Sequence, residues 1–149
     1  MPLTLEDRAA LHDLYTKYAH TFDGADAAAW SALFTPDGSF TPPGLEPVVG
    51  TEALYAFVAN RSDEMPGMRH VIANVLVEAD GDAAKGVAYF ICYRIGGDGH
   101  FRLRNFGRYE DRFARHGGAW RFAVRDIVTE LDAELVDAPF AFASAGTPV

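Results

Sequence analysis

The chain has 149 residues, 49% hydrophobic and 23% charged, with a formal net charge of -8. That length supports one domain with its own core and is short for two. The acidic balance argues against nucleic acid as a partner, since phosphate binding calls for a basic surface. The N-terminus has no secretory pattern and no stretch approaches the ~20 apolar residues of a membrane span. A cytoplasmic location with no membrane partner is therefore expected. The single cysteine, Cys92, lies in an apolar run and reads as a buried thiol.

Residues 4 to 22 read as an amphipathic helix. Thr4 and Asp7 have the spacing of a capping box, and Leu11, Leu14, Tyr15, Tyr18 and Phe22 recur at three- and four-residue intervals. Asp26 is placed to cap a short helix from Ala27 to Phe34 that buries Trp30. Thr35-Pro36-Asp37-Gly38 has turn composition, and Ser39-Phe40-Thr41 follows as a short strand. Thr51 is expected to cap a third helix running to about Arg61. Beyond Pro66-Gly67 four β-rich runs follow, about 69–79, 83–95, 101–115 and 119–131, separated by glycine-containing turns that signal hairpins. The implied class is α+β, with helices on one face of a mostly antiparallel sheet. The tail from 132 to 149 has no assigned structure, and residues 1–149 are read as a single domain with its core over about 4–131.

Two residues are candidates for chemistry, though each also fits a structural role at an element boundary. Asp23 stands where the first helix gives way to Gly24, and His70 opens the first long strand. An imidazole held by a carboxylate is a common base near neutral pH, and the partners need not be close in sequence. By alternation Asn74 shares a strand face with His70 and Ile72, which makes it a candidate hydrogen-bonder in a pocket. His12 and His20 fall off the apolar stripe of the first helix, while His100 and His116 lie in or beside turns. No metal-ligand spacing, phosphate loop or Gly-x-Ser-x-Gly elbow occurs. Neither a metal nor a cofactor is expected.

The order of elements, with Asp13-Leu14-Tyr15, Tyr18 and Asp23, then Trp30 to Gly38, Gly50-Thr51-Glu52-Ala53-Leu54, Arg69-His70, Gly107-Arg108-Tyr109-Glu110-Asp111 and Trp120-Arg121-Phe122 with Arg125, resembles the SnoaL-like branch of the nuclear transport factor two-like superfamily. The resemblance spans roughly residues 5 to 130. It implies a cone-shaped α+β barrel, in which three N-terminal helices cover one sheet face and enclose an apolar pocket. Members include dehydratases, a dehydrochlorinase, isomerases, polyketide cyclases and non-catalytic small subunits of ring-hydroxylating dioxygenases, so fold alone leaves function open.

The same resemblance implies His70 as base, Asp23 as its orienting carboxylate, Tyr18 as a polarising or proton-donating group and Arg125 as stabiliser of an enolate or carboxylate. Trp30, Phe40, Ile72, Asn74 and Ile127 are expected to line the substrate. Tyr18 and Phe40 stand where the dehydrochlorinase has a lysine and a tryptophan, which favours an oxygenated leaving group. The expectation is a cofactor-independent dehydratase-type lyase for a small hydrophobic cyclic molecule, in a homo-oligomer (dimer or trimer). An isomerase or cyclase using the same pair, or a non-catalytic assembly module, is the alternative.

Overall fold

The computed structural model describes residues 2–132 and 138–139. Helix α1 spans Leu5–Asp23, α2 Ala27–Ser31 and α3 Thr51–Ala59, with a 3-10 turn at Ser62–Glu64. Seven strands form one sheet: β1 Phe34–Thr41, β2 Val48–Val49, β3 Met68–Asp80, β4 Ala83–Ile95, β5 His100–His116, β6 Ala119–Asp132 and β7 Ala138–Pro139. Their order is β2-β1-β6-β5-β4-β3, with β7 paired to β5. Among the described residues only the β1–β6 pair is parallel. Among the described residues the sheet does not close into a barrel, and β2 and β3 are its edges. The expected tail from 132 to 149 lies outside the described residues, apart from Asp132 and the short β7.

The first helix begins as its sequence dictates. The Thr4 side chain accepts from the Asp7 backbone N–H, and the Asp7 carboxylate accepts from the Thr4 N–H. Both donors would otherwise be orphaned at the helix start. Trp120 and Arg115 also bind the Asp7 carboxylate, tying this cap to the β5–β6 hairpin. Those hydrogen bonds, Trp120 foremost, hold the Asp7 carboxyl down at about 2. Leu11, Leu14, Tyr15, Tyr18 and Phe22 then bury one stripe against the sheet.

Three local expectations are corrected. The second helix stops at Ser31, and Phe34 already belongs to β1. The turn-like Thr35 to Gly38 lies inside β1 as a bulge, between the Phe34–Phe122 and Ser39–Val124 pairs. A Cβ on Gly38 would meet the Thr35 carbonyl at 2.9 Å and the Phe122 carbonyl at 3.1 Å, so only glycine fits this approach to β6. The cap of α3 is Gly50, at φ 87°, and no side chain caps it.

Two further bulges decide which residues face inward. In β3 the register shifts between Ala73 and Leu76, and in β6 Arg112 pairs Val124 while Phe113 pairs Phe122. Ala123 is thus an extra residue, and Phe122 and Arg125 are both fully buried. A strict period of two would have put them on opposite faces.

Candidate functional site

The centre of the site lies where the end of α1 meets edge strand β3. His70 pairs with Cys92 across the β3–β4 ladder, and its own backbone N–H points off the sheet edge. The Asp23 carboxylate fills that position. Its Oδ2 accepts the His70 backbone N–H at 2.9 Å, and its Oδ1 lies 2.6 Å from the His70 Nδ1. A carboxylate offers only acceptors, so Nδ1 carries the hydrogen and Nε2 is the nitrogen left to exchange a proton. Both side chains are about 10% exposed.

Burial alone would lower the His70 pKa. Burial is the largest single influence, but the Asp23 hydrogen bond and the contribution of Cys92 across the strand together outweigh it, and the imidazole is lifted to about 9. The C-terminal end of α1 also favours a cation there. Phe22 and Tyr18 meet the imidazole edge-on, with ring centroids at 5.2 and 6.3 Å.

Arg125 is fully buried behind Tyr18. Its Nε and Nη2 each donate at 2.8 Å to the two oxygens of Asp111, its direct cross-strand partner, which is buried too. The guanidinium lies about 4 Å from the ring centres of Tyr18, Tyr109 and Phe122. Against its burial, Asp111 raises the Arg125 pKa, so it is a permanent cation. Burial likewise raises the Tyr18 phenol, which keeps its proton.

Trp30 and Phe40, both buried, pack 5.2 Å apart and extend the aromatic wall from Tyr18 to Phe57. Ile127 is half-buried against this core, and Ile72 lines a recess with His70. Asn74 departs from the expectation: it sits at the β3 bulge with φ 53°, is exposed, and does not continue the face of His70 and Ile72.

Two recesses flank His70 between α1 and β3. One, of about 380 Å³, is lined by His12, Tyr15, His20, Ile72 and Val75 among others, and the second, of about 420 Å³, by His20, Asp23 and Arg69. His12 and His20, set aside from sequence because they leave the apolar stripe, are there because they point along the flank of α1 toward the sheet edge. Sequence reasoning also missed Asp111 and Tyr109. The signal was present in β5, where Tyr109, Asp111 and Phe113 alternate at the period of a buried strand face. Among the described residues no group of three or more His, Cys, Asp or Glu side chains converges as a metal site, and no helix is long and apolar enough to cross a membrane.

Comparison with known proteins places these features in context. The SnoaL-like domain profile matches residues 3–126. No curated protein matches the chain. Among solved structures, a provisionally named aromatic ring hydroxylase of Novosphingobium aromaticivorans is 32% identical, covering 87% of this chain and 92% of that one, with a TM-score of 0.76. Rv3472, a Mycobacterium tuberculosis protein of unknown function whose structure is of a variant, is 26% identical over 84% of this chain and 72% of its own, with a TM-score of 0.77. LinA is similar in fold, with a TM-score of 0.79 at 23% identity over 92% of this chain and 95% of that one.

Proposed function

The chain belongs to the SnoaL-like domain family, and from that premise we propose that it is a cofactor-independent lyase of the dehydratase type, acting on a small hydrophobic cyclic substrate. The observation that carries this reading is the Asp23 carboxylate holding His70 by both its ring and its backbone. An imidazole fixed at Nδ1 and buried to about 10% exposure is oriented for one task at Nε2: taking a proton from a carbon beside an activating group. Asp23 stabilises the imidazolium that forms, as the carboxylate does in a serine-protease triad. Arg125 supplies fixed positive charge for a developing enolate, and Tyr18 supplies a retained proton for a departing hydroxyl. Isomerisation or cyclisation would use the same base and the same cation.

The test needs no knowledge of the natural substrate. In D2O, proton NMR would follow exchange of the α-hydrogens across a panel of cyclic ketones. Wild type is expected to accelerate exchange, His70→Ala to abolish it, and Asp23→Asn to lose about 10²-fold or more. Undiminished exchange in a folded His70→Ala protein would overturn the reading.

A non-catalytic assembly role is the second reading. It is favoured by one observation: Val71, Leu76, Val87, Tyr89 and Ile91 are exposed together on the sheet face away from the helices. We assign that face to a second copy of the chain, which is compatible with either reading.

A further inference from the structure

Helix α1 and edge strand β3 run side by side in opposite directions and are tied together at both ends. At one end Arg8 Nη1 donates to the Val77 carbonyl at 3.1 Å, and at the other Asp23 holds His70. The spans match: Arg8 to Asp23 is about 22 Å of helix, and His70 to Val77 is about 23 Å of strand. Between the ties β3 bulges, its register shifting between Ala73 and Leu76 while Asn74 takes a left-handed φ of 53°. A bulge bends its strand. The recess of about 380 Å³ opens beside this stretch, and the one of about 420 Å³ continues past His70 to Gly24. Ala19, His20 and His70 border both, so the two adjoin as one trough with His70 at its waist.

The trough has two unlike walls. On α1, His12, Thr16 and His20 follow Arg8 at four-residue steps, so they share the flank that carries the ties, and all three are exposed. His12 and His20 stand about 12 Å apart along the helix axis. Asp13, also at the rim, is already paired with Lys17 at 3.0 Å. On β3 the wall is aliphatic, made by the half-buried Ile72 and Val75. Hydrogen-bonding groups thus face one side of the trough and apolar carbon the other, which suits a flat ring carrying a hydroxyl on one edge. Tyr15 bounds the trough inward, with its ring 4.9 Å from the Arg125 guanidinium.

We propose that this trough is a subsite for the part of the substrate that does not react: a hydroxylated ring lying against Ile72 and Val75, with its hydroxyl on His12 and the reacting ring beside His70. The proposal rests on the lyase reading and adds to it a substrate class, a fused-ring ketone hydroxylated on the ring remote from its carbonyl. An imidazole can donate to or accept from such a hydroxyl. Contacts made by a remote ring hold the reacting carbon in place at the base.

Calorimetric titration with 6-hydroxy-1-tetralone and 1-tetralone tests this, because the two differ by one hydroxyl on the ring remote from the carbonyl. Wild type is expected to bind the hydroxylated ketone about fivefold more tightly. His12→Phe keeps a ring in place but cannot hydrogen-bond, and it should bring the two ketones level without weakening 1-tetralone. Thr16→Trp, at an exposed helix position, should fill the trough and weaken both ketones about tenfold or more, with the unfolding midpoint of wild type. A wild type that binds neither ketone, or both equally, would overturn the proposal. So would a His12→Phe protein that keeps the preference, or a folded Thr16→Trp protein that binds both ketones as before. Binding of these probes needs no proton abstraction. Exchange without the preference therefore removes the subsite alone, and the preference without exchange removes the base alone.

Discussion

With its Nδ1 hydrogen on Asp23 and a pKa of about 9, His70 is an imidazolium across the neutral range, and only its deprotonated fraction can take a proton. On the proposed role as base, kcat/KM should climb through neutrality and level above about 9. In Asp23→Asn burial is left as the main influence, and the inflection should fall toward or below the ordinary value of about 6.5. An inflection that stays near 9 in the variant would show that another group sets it. Stability runs the opposite way. A pKa raised on folding contributes fully below about 6.5, and the contribution is lost as pH rises through about 9. The pair was legible in sequence through the family resemblance, because a residue closing a helix and one opening a strand each fit a purely structural role when read alone. Asp111 was not, because it shows its role only through its cross-strand partner Arg125. The alternation of Asp111 with Tyr109 and Phe113 marks a buried carboxylate, but the cation it serves is fixed only by the β5–β6 register.

Elements set by local chemistry were readable, and elements set by partners were not. The Thr4–Asp7 capping box and the bounds Ala83–Ile95 of β4 follow from short stretches of sequence. The bulges in β1, β3 and β6 do not, because each is fixed by the strand alongside. That is why Asn74 was placed on the wrong face. It is also why Arg125 faces inward beside Phe122 rather than in strict alternation from the strand start. Gly86 on β4 makes the same dependence testable. An added Cβ would crowd the Tyr15 hydroxyl at 2.6 Å and Phe113 at 2.9 Å. Gly86→Ala is expected to cost about 1–3 kcal/mol in urea denaturation, with loss of activity from displacing Tyr15. A variant as stable as wild type would mean that α1 yields freely from the sheet.

At the scale of the whole molecule, the described residues leave the sheet face away from the helices exposed. Leu76 pairs with Val87 and Val71 with Ile91, so the exposed side chains of β3 and β4 form one continuous patch, and Leu76 is 71% exposed. Beside it, on β5 and β6, Arg108 and Arg112 alternate with Glu110, and Asp126 lies opposite Glu110. A groove of about 510 Å³ runs across these charges. Apolar patches with mixed charges at their rim suit a two-fold contact between copies. Sedimentation should find wild type as an oligomer, and Leu76→Arg with Tyr89→Arg should shift it to monomer. A wild-type monomer at micromolar concentration would remove the second copy from the account. The contact between Asp23 and the His70 backbone bears on a different hazard. Strand β3 ends the sheet, and an unpaired amide on such an edge is where a foreign strand begins to add. By occupying that amide, Asp23 also acts as a guard against aggregation. The proposed base and the protection of this edge position thus rest on one carboxylate.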